Sequence, residues 1–189
     1  MDDYPDKKLM KLVVERNTSA FKILFNRYHL QIFNFILKYT GNKELAQDLL
    51  QETFTRVWFA AHTFNLSSGN FKGWIYKIAL NITRNEMAKK RYDYQYFDVT
   101  EISDSPIEPE YYVTEQPDDK LDRLELRNTI FNALKQLKPH LREIIIFKLY
   151  QQLKFKEIAQ ITETPEGTLK ARFHHAISQL KQLLEPLEL

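Results

Sequence analysis

Apolar residues recur at three- and four-residue spacing through long stretches of this chain, the signature of amphipathic helices. Between Ser19 and Tyr39 the recurring set is Phe21, Leu24, Phe25, Tyr28, Ile32, Phe35, Ile36 and Tyr39, and a shorter helix from Lys7 to Glu15 precedes it. Gly41 suits a left-handed cap that ends the long helix, and Asn42 suits the N-cap of the next. In that next helix, Ala46 to Trp58, one arc holds Ala46, Leu50, Phe54, Val57, Trp58 and Ala61, and the opposite arc holds Asp48, Gln51, Glu52 and Thr55. The polar arc is either the wet side of an ordinary helix or a docking face. A loop, HTFNLSSGN, separates it from a helix running from about Phe71 to Arg91, with Phe71, Trp74, Ile75, Ile78, Ala79 and Ile82 inward. Lys72, Tyr76, Lys77, Asn81, Arg84, Asn85, Lys89, Lys90 and Arg91 are left available.

The C-terminal part begins near Leu121, where Leu124, Leu126, Ile130, Leu134 and Leu137 lead to a break at Lys138-Pro139. A helix from Leu141 to Leu149 contains Ile144, Ile145, Ile146 and Phe147, a run to be buried on nearly all sides. Phe155 to Ile161 then predicts a short helix, Thr162 to Thr164 a turn, and Pro165 onward a longer helix. Thr164 is fit to cap that last helix, Pro165 suits its first position and Glu166 favours its dipole. Ile158, Ala159, Ile161, Leu169, Phe173, Ala176, Ile177 and Leu180 supply the core of this helix-turn-helix. Thr168, Lys170, Ala171, Arg172, His174 and His175 occupy the outward face of the second helix, where a major groove would lie. The alternative is a helical hairpin with no role on DNA.

The fold class expected is therefore all-α, with two small helical domains joined by an acidic flexible linker. The boundaries expected are 1–91, 92–120 and 121–189. Charge sharpens this division. The net charge of +2 conceals 15 Lys and Arg against 8 Asp and Glu in residues 1–91, and 11 against 8 in residues 121–189. Residues 92–119 carry nine acidic groups and no basic one. Two basic ends thus flank a segment that the same polyanion would repel. Pro106, Pro109 and Pro117 mark this middle as a linker, a solvated tether or, given Tyr92, Tyr94, Tyr96, Phe97, Tyr111 and Tyr112, a segment that docks on a partner.

With 189 residues and 43% hydrophobic content, one medium or two small cores can be built. The absence of cysteine leaves no disulfide and no thiolate metal ligand, which suits a reducing compartment. No run approaches the ~20 apolar residues of a membrane span, and the N-terminus lacks a signal-peptide core, so a cytoplasmic protein without membrane insertion is expected. No nucleophile–base pair, phosphate loop or carboxylate cluster suggests catalysis. His174 and His175 point about 100° apart on a helix and have no second pair at ligand spacing. Neither metal nor cofactor is expected.

The helix from Phe71 carries six basic groups that could meet phosphates, and Asn81 can pair with base edges. The loop before it offers Phe64, Asn65, Ser67, Ser68 and Asn70 where an unstacked base could be held. Phe64 and Trp74 could equally be core.

Together these features resemble bacterial sigma-70-superfamily sigma factors of the extracytoplasmic-function (ECF) type, over about residues 10–91 and 121–185. FNLSSGNFKGWIYKIALNITRN is similar to the region that melts and reads the −10 promoter element. The resemblance implies that Phe64, Asn65, Ser67, Ser68 and Asn70 form the loop for an everted base, with Lys77, Asn81, Arg84 and Asn85 contacting DNA. LREIIIFKLYQQLKFKEIAQITETPEGTLKARFHHAISQLKQLL is similar to the domain that reads the −35 element. Leu169 replaces the usual valine there, and His174 and His175 stand where Phe and Arg are common. Asp48, Gln51, Glu52 and Thr55 then correspond to the face that binds the clamp helices of the largest polymerase subunit. The resemblance implies core RNA polymerase and promoter DNA as partners, admits an anti-sigma factor, and threads the linker through the polymerase's nucleic-acid channel. The alternatives are a helix-turn-helix regulator that never joins polymerase and, from a different class, a nucleic-acid-processing enzyme.

Overall fold

A computed structural model of the chain describes residues 3–67, 69–96 and 120–184, and every regular element among them is helical. The chain forms two compact units.

The first unit holds α1 (Asp6–Val14), α2 (Thr18–Thr40), α3 (Lys43–Phe59) and α4 (Phe71–Tyr96). Its helix ends follow local chemistry. The Asn17 side chain accepts from the Ala20 N–H at 2.9 Å and starts α2; Gly41, at φ 69°, ends it by donating to the Leu37 carbonyl at 2.8 Å. Asn42 then accepts from the Leu45 N–H at 2.8 Å and starts α3. The core is made by Leu9, Met10 and Val13 of α1, Leu24, Ile32, Phe35 and Ile36 of α2, Ala46, Phe54 and Val57 of α3, and Phe71, Ile75, Ala79 and Leu80 of α4. The α1–α2 contact is pinned by Asp6, which receives the Tyr28 hydroxyl and the Arg27 guanidinium, the latter at 2.8 Å.

Several expectations shift here. On α3, Leu49 and Thr53 are buried, whereas Leu50 and Trp58 are only half-buried. Thr53 can sit inside because its hydroxyl donates to the Leu49 carbonyl at 2.7 Å. Tyr76 is fully buried rather than available, its ring edge-on to Phe35 at 5.8 Å. Trp74 and Ile78 are half-buried. Helix α4 continues five residues past Arg91, taking Tyr92, Tyr94 and Tyr96 out of the expected linker. No glycine or proline stands between Gly73 and Pro106 to stop it. The rest of that linker, 97–119, lies outside the described residues.

The remaining helices are α5 (Lys120–Gln136), α6 (Pro139–Ile145), α7 (Phe155–Thr162) and α8 (Glu166–Leu184); of these, residues 120–159 and 163–184 belong to the second unit. Leu134, Leu137, Leu141, Ile145 and Ala176 form its core, with Ile130, Phe173, Ile177 and Leu180 packed around them. The expected single helix to Leu149 does not form: α6 passes into a π-helical turn, Ile146–Tyr150, in which the Gln151 N–H reaches the Ile146 carbonyl at 3.0 Å. Everything from Leu141 to Phe147 is buried, including Arg142 and Glu143. Arg142 is tolerated because its guanidinium donates to the carbonyls of Leu134, Lys135 and Leu137, satisfying the end of α5. The turn between α7 and α8 places Glu163 in the left-handed region, at φ 54°.

Candidate functional site

Asp48, Gln51, Glu52 and Thr55 are all exposed, and their spacing of three, one and three residues gathers them into one stripe along α3. Glu52 pairs with Arg56 one turn on, at 2.9 Å, an exposed ion pair of little consequence for stability. Beside the stripe lies a groove of about 500 Å³ between α2 and α3. Its floor is aromatic: Phe21 stands edge-on to Trp58 at 5.1 Å, and Phe25 packs on Phe54 at 4.7 Å. Leu50 and Phe59 complete the apolar lining, and Gln51 and Thr55 belong to both groove and stripe. Phe59 is 65% exposed, a large apolar surface left at the end of α3. The stripe was legible in the sequence; the groove was not, because Phe21, Leu50, Phe54 and Trp58 fit the helical period of a closed core equally well. The available signal was an excess, since α3 has more large apolar residues than one inward arc can hide.

On α4, Asn81 and Asn85 are exposed while Lys77 and Arg84 are half-buried, one face of a helix whose inner side is fixed by Ile75, Ala79 and Ile82. Asn85 also borders a cleft of about 310 Å³ with Glu52, Arg56, Glu86 and Lys89, so the end of this face meets the side of α3. Lys89 carries a loose pairing to Glu86 at 3.8 Å. The side chains of Lys90 and Arg91 lie outside the described residues.

The loop before α4 divides the expected base-holding residues. Asn65 and Ser67 are exposed and tied together, the Asn65 oxygen accepting from the Ser67 N–H at 2.8 Å. Asn70 is exposed as well, but its oxygen accepts from the Gly73 N–H at 2.9 Å and so caps α4. A side chain at Gly73 would bring its first carbon within 2.5 Å of the Asn70 amide nitrogen, so the cap and the glycine belong together. Phe64 departs from the expectation of an accessible ring: it is 6% exposed and packs against Trp74 at 5.3 Å and Phe71 at 6.1 Å. Apolar burial makes it the anchor of the loop. Ser68 lies outside the described residues.

On α8, Leu169 and Ala176 are buried and Phe173 stands edge-on to Phe155 of α7 at 5.8 Å, which fixes the helix's rotation. Thr168, Lys170, Ala171, His174 and His175 are consequently exposed and Arg172 half-buried, so the expected outward set shares one accessible side. Sequence reading missed His140, at the start of α6. It is exposed and electrostatically coupled to Arg172 and His175 of α8. Burial, and then the Arg172 charge, lower its proton affinity from the ordinary histidine value.

Among the described residues no group of acidic, histidine or cysteine side chains is placed to hold a metal ion, and no helix is long and apolar enough to cross a membrane.

Residues 24–92 match the sigma-70 region 2 family and residues 127–180 match sigma-70 region 4. The ECF RNA polymerase sigma factor SigW of Bacillus subtilis is 30% identical over 184 residues, 96% of this chain and 97% of that protein. The RNA polymerase sigma-H factor of Pseudomonas aeruginosa is 27% identical, over 96% of this chain and 95% of that one. Among solved structures, CnrH in complex with the cytosolic domain of CnrY shares the fold, with a TM-score of 0.71 over 97% of this chain and 99% of that one at 21% identity. The sigma factor RpoE of Bartonella quintana, solved with the anti-sigma factor NepR, gives a TM-score of 0.69 over 87% of this chain and 96% of that one at 25% identity. A region 2 match in addition to a region 4 match sets aside the regulator that never joins polymerase. With both halves matched and a relative aligned nearly end to end, the chain belongs to the ECF group of sigma-70 sigma factors, the promoter-recognising factors of RNA polymerase.

Proposed function

We propose that the first domain runs to Tyr96, binds core polymerase through Asp48, Gln51, Glu52 and Thr55, and engages the −10 element through the α4 face and its preceding loop. Residues from Lys120 form the second domain, which reads the −35 element with α8. The observation that carries this reading is that both outward sets, on α3 and α8, are exposed except for the half-buried Arg172, each on a helix whose opposite side is locked into a core. On α4, Asn81 is the base-contacting candidate, while Lys77 and Arg84 serve phosphates. On α8, Lys170 and His175 are assigned to bases and Arg172 to the backbone, with Thr168, Ala171 and His174 lining the same groove.

The factor does no covalent chemistry in this reading. It opens DNA by holding an unstacked base, which offsets the cost of unpairing. It works in the cytoplasm, and an anti-sigma factor is its proposed regulator, by analogy with the 25% identical RpoE solved with NepR.

Run-off transcription with purified core polymerase tests the assignment. The unmodified chain should direct initiation from a promoter bearing both elements, and replacing Asp48 and Glu52 by Lys should weaken core binding at least tenfold without loss of helicity. Alanine at Lys170 or His175 should relax sequence preference, whereas alanine at Arg172 should weaken cognate and scrambled elements alike. Unchanged core affinity in the Lys variants would remove the α3 assignment.

A further inference from the structure

We propose that Lys7 of α1 holds a backbone phosphate of the unpaired DNA strand beside the loop that precedes α4, which makes α1 part of the −10 surface. The proposal rests on the reading of that loop and of α4 as the −10 site. Its geometry starts at Gly69, which stands in the left-handed region at φ 61°. A first side-chain carbon on Gly69 would lie 3.4 Å from Cδ of Lys7, 3.8 Å from its Cβ and 3.9 Å from its Cγ. The lysine stem therefore lies across Gly69, and the ammonium, two bonds past Cδ, stays close to the loop. The Gly69 N–H reaches back to the Asn65 carbonyl at 3.4 Å, so Lys7 crosses the same turn whose exposed Asn65 and Ser67 are assigned to the unstacked base.

A path of contacts fixes α1 at this place. Asp6, the residue before Lys7, accepts from the Arg27 guanidinium at 2.8 Å and from the Tyr28 hydroxyl. The Tyr28 ring stands edge-on to Phe71 at 5.1 Å, and Phe71 packs on Phe64, the anchor of the loop, at 6.1 Å. Helix α1 also packs on the turn Ala61–Thr63 and on α4, at the two ends of the loop. The charges of α1 sort accordingly: Asp6 is occupied by Arg27 and Tyr28, and the Lys8 ammonium lies 3.4 Å from the centre of the Tyr4 ring. Lys7 is exposed, and among the described residues no hydrogen bond or ion pair engages its ammonium. With its stem packed and its head in water, it has lost part of its rotamer freedom before DNA arrives, so it meets a phosphate at a smaller entropy cost than a loose surface lysine. A base held in the loop brings its flanking phosphates to the same turn, and a contact to them positions the strand without reading its sequence.

The test uses holoenzyme assembled from core polymerase and the full chain. Its probe is a promoter duplex selected from a random library, with the −10 segment left unpaired. Lys7→Met keeps the stem over Gly69 and removes the charge. It should flatten the slope of log affinity against log salt by about 0.7, the amount for one phosphate of a single strand. Lys7→Arg should keep the slope of the unmodified factor, and Lys8→Ala should leave it unchanged. Each phosphate flanking the everted base is then replaced in turn by an uncharged methylphosphonate. One replacement should weaken the unmodified factor and cause no further loss in Lys7→Met; losses that add in full at every position would overturn the proposal. An unchanged slope in Lys7→Met, while Lys77→Ala and Arg84→Ala flatten it, would overturn the proposal and leave α4 as the −10 helix. So would binding lost in Lys7→Ala but kept in Lys7→Met, since the stem alone would then be at work. If none of the Lys7, Lys77 and Arg84 variants alters the slope, the −10 reading of this surface fails and the proposal fails with it.

Discussion

The guanidinium of Arg16 donates to the carbonyl oxygen of Trp58 at 3.0 Å and lies 5.4 Å from the centre of its indole ring. This single side chain ties the α1–α2 turn to the end of α3, at the edge of the aromatic groove. Arg16 stands at φ 65° because it closes α1, its own N–H on the Val13 carbonyl and the Asn17 N–H on the Leu12 carbonyl, a left-handed position in which non-glycine residues are costly. Arg16→Ala should lower stability by about 1–2 kcal/mol through loss of the hydrogen bond and the ring contact. Arg16→Gly loses the same contacts but relieves the backbone, so it should be the milder change by about 1 kcal/mol. Urea denaturation of the two variants measures the difference, and equal midpoints would mean that the strained backbone carries no cost.

Asn70 and Asn81 lie on the same expected −10 surface but differ in what else they do. Asn70 caps α4 through the Gly73 N–H, so Asn70→Ala should cost about 1 kcal/mol of stability and Asn70→Asp should restore it. Asn81 is exposed in mid-helix, and Asn81→Ala should leave thermal stability within about 0.5 kcal/mol. Asn81→Ala should instead impair promoter opening on duplex DNA more than on a pre-melted template, where the unstacking cost is already met. Equal loss on both templates would assign Asn81 a structural role.

Two phenols, the half-buried Tyr28 and the buried Tyr76, should make the first unit sensitive to alkali. Tyr28 is held above its ordinary value of 10.0 by burial first, then by its hydrogen bond to Asp6 and that carboxylate's charge; Tyr76 is held above it by burial. In the unfolded chain both ionise near their ordinary value, and in the folded chain higher. Their contribution is therefore fully present below about pH 10 and is lost as pH rises, at about 1.4 kcal/mol per pH unit for each group. Denaturation midpoints of the unmodified chain should fall between about pH 10 and 11, and those of the Tyr28→Phe, Tyr76→Phe double variant should fall less. Parallel decline in both would place the alkaline sensitivity elsewhere.

Much of this was legible because it depends on neighbours in sequence. The caps at Asn42 and Gly41, the inward turn of Leu169 and Ala176, and the outward set on α8 all follow from helical period and end chemistry. What was not legible depends on partners far along the chain. Tyr76 reads as a polar-tipped residue on an accessible arc until Phe35 covers it. Phe64 satisfies both a loop and a core pattern, and only the positions of Phe71 and Trp74 decide between them. Arg142 sits inside a run of buried residues that periodicity alone would require to be apolar. Its acceptability comes from three carbonyls at the end of α5.

Glu163 occupies the left-handed position of the turn between α7 and α8, where glycine incurs no steric penalty. Glu163→Gly should raise the stability of the second unit by about 1 kcal/mol, less the extra entropy glycine gives the unfolded chain. Upstream-element binding should be unaffected if the angle between the two helices is kept. A lower melting temperature in this variant would show that the glutamate side chain contributes more than its backbone costs.

The π-helical turn at Ile146–Tyr150 accommodates one residue more than an ordinary turn between its hydrogen-bonded ends. Because the wider turn absorbs that residue, deleting it would let the ladder close as a regular helix with the buried run of α6 still facing α8 and Arg142 still on the carbonyls it satisfies. A deletion one turn earlier, within α6 itself, has no surplus to draw on and would rotate all that precedes it by about 100° relative to all that follows. The turn is thus a slack link at the end of a tightly packed helix, where the loss of a single codon is a local change and not a change of architecture.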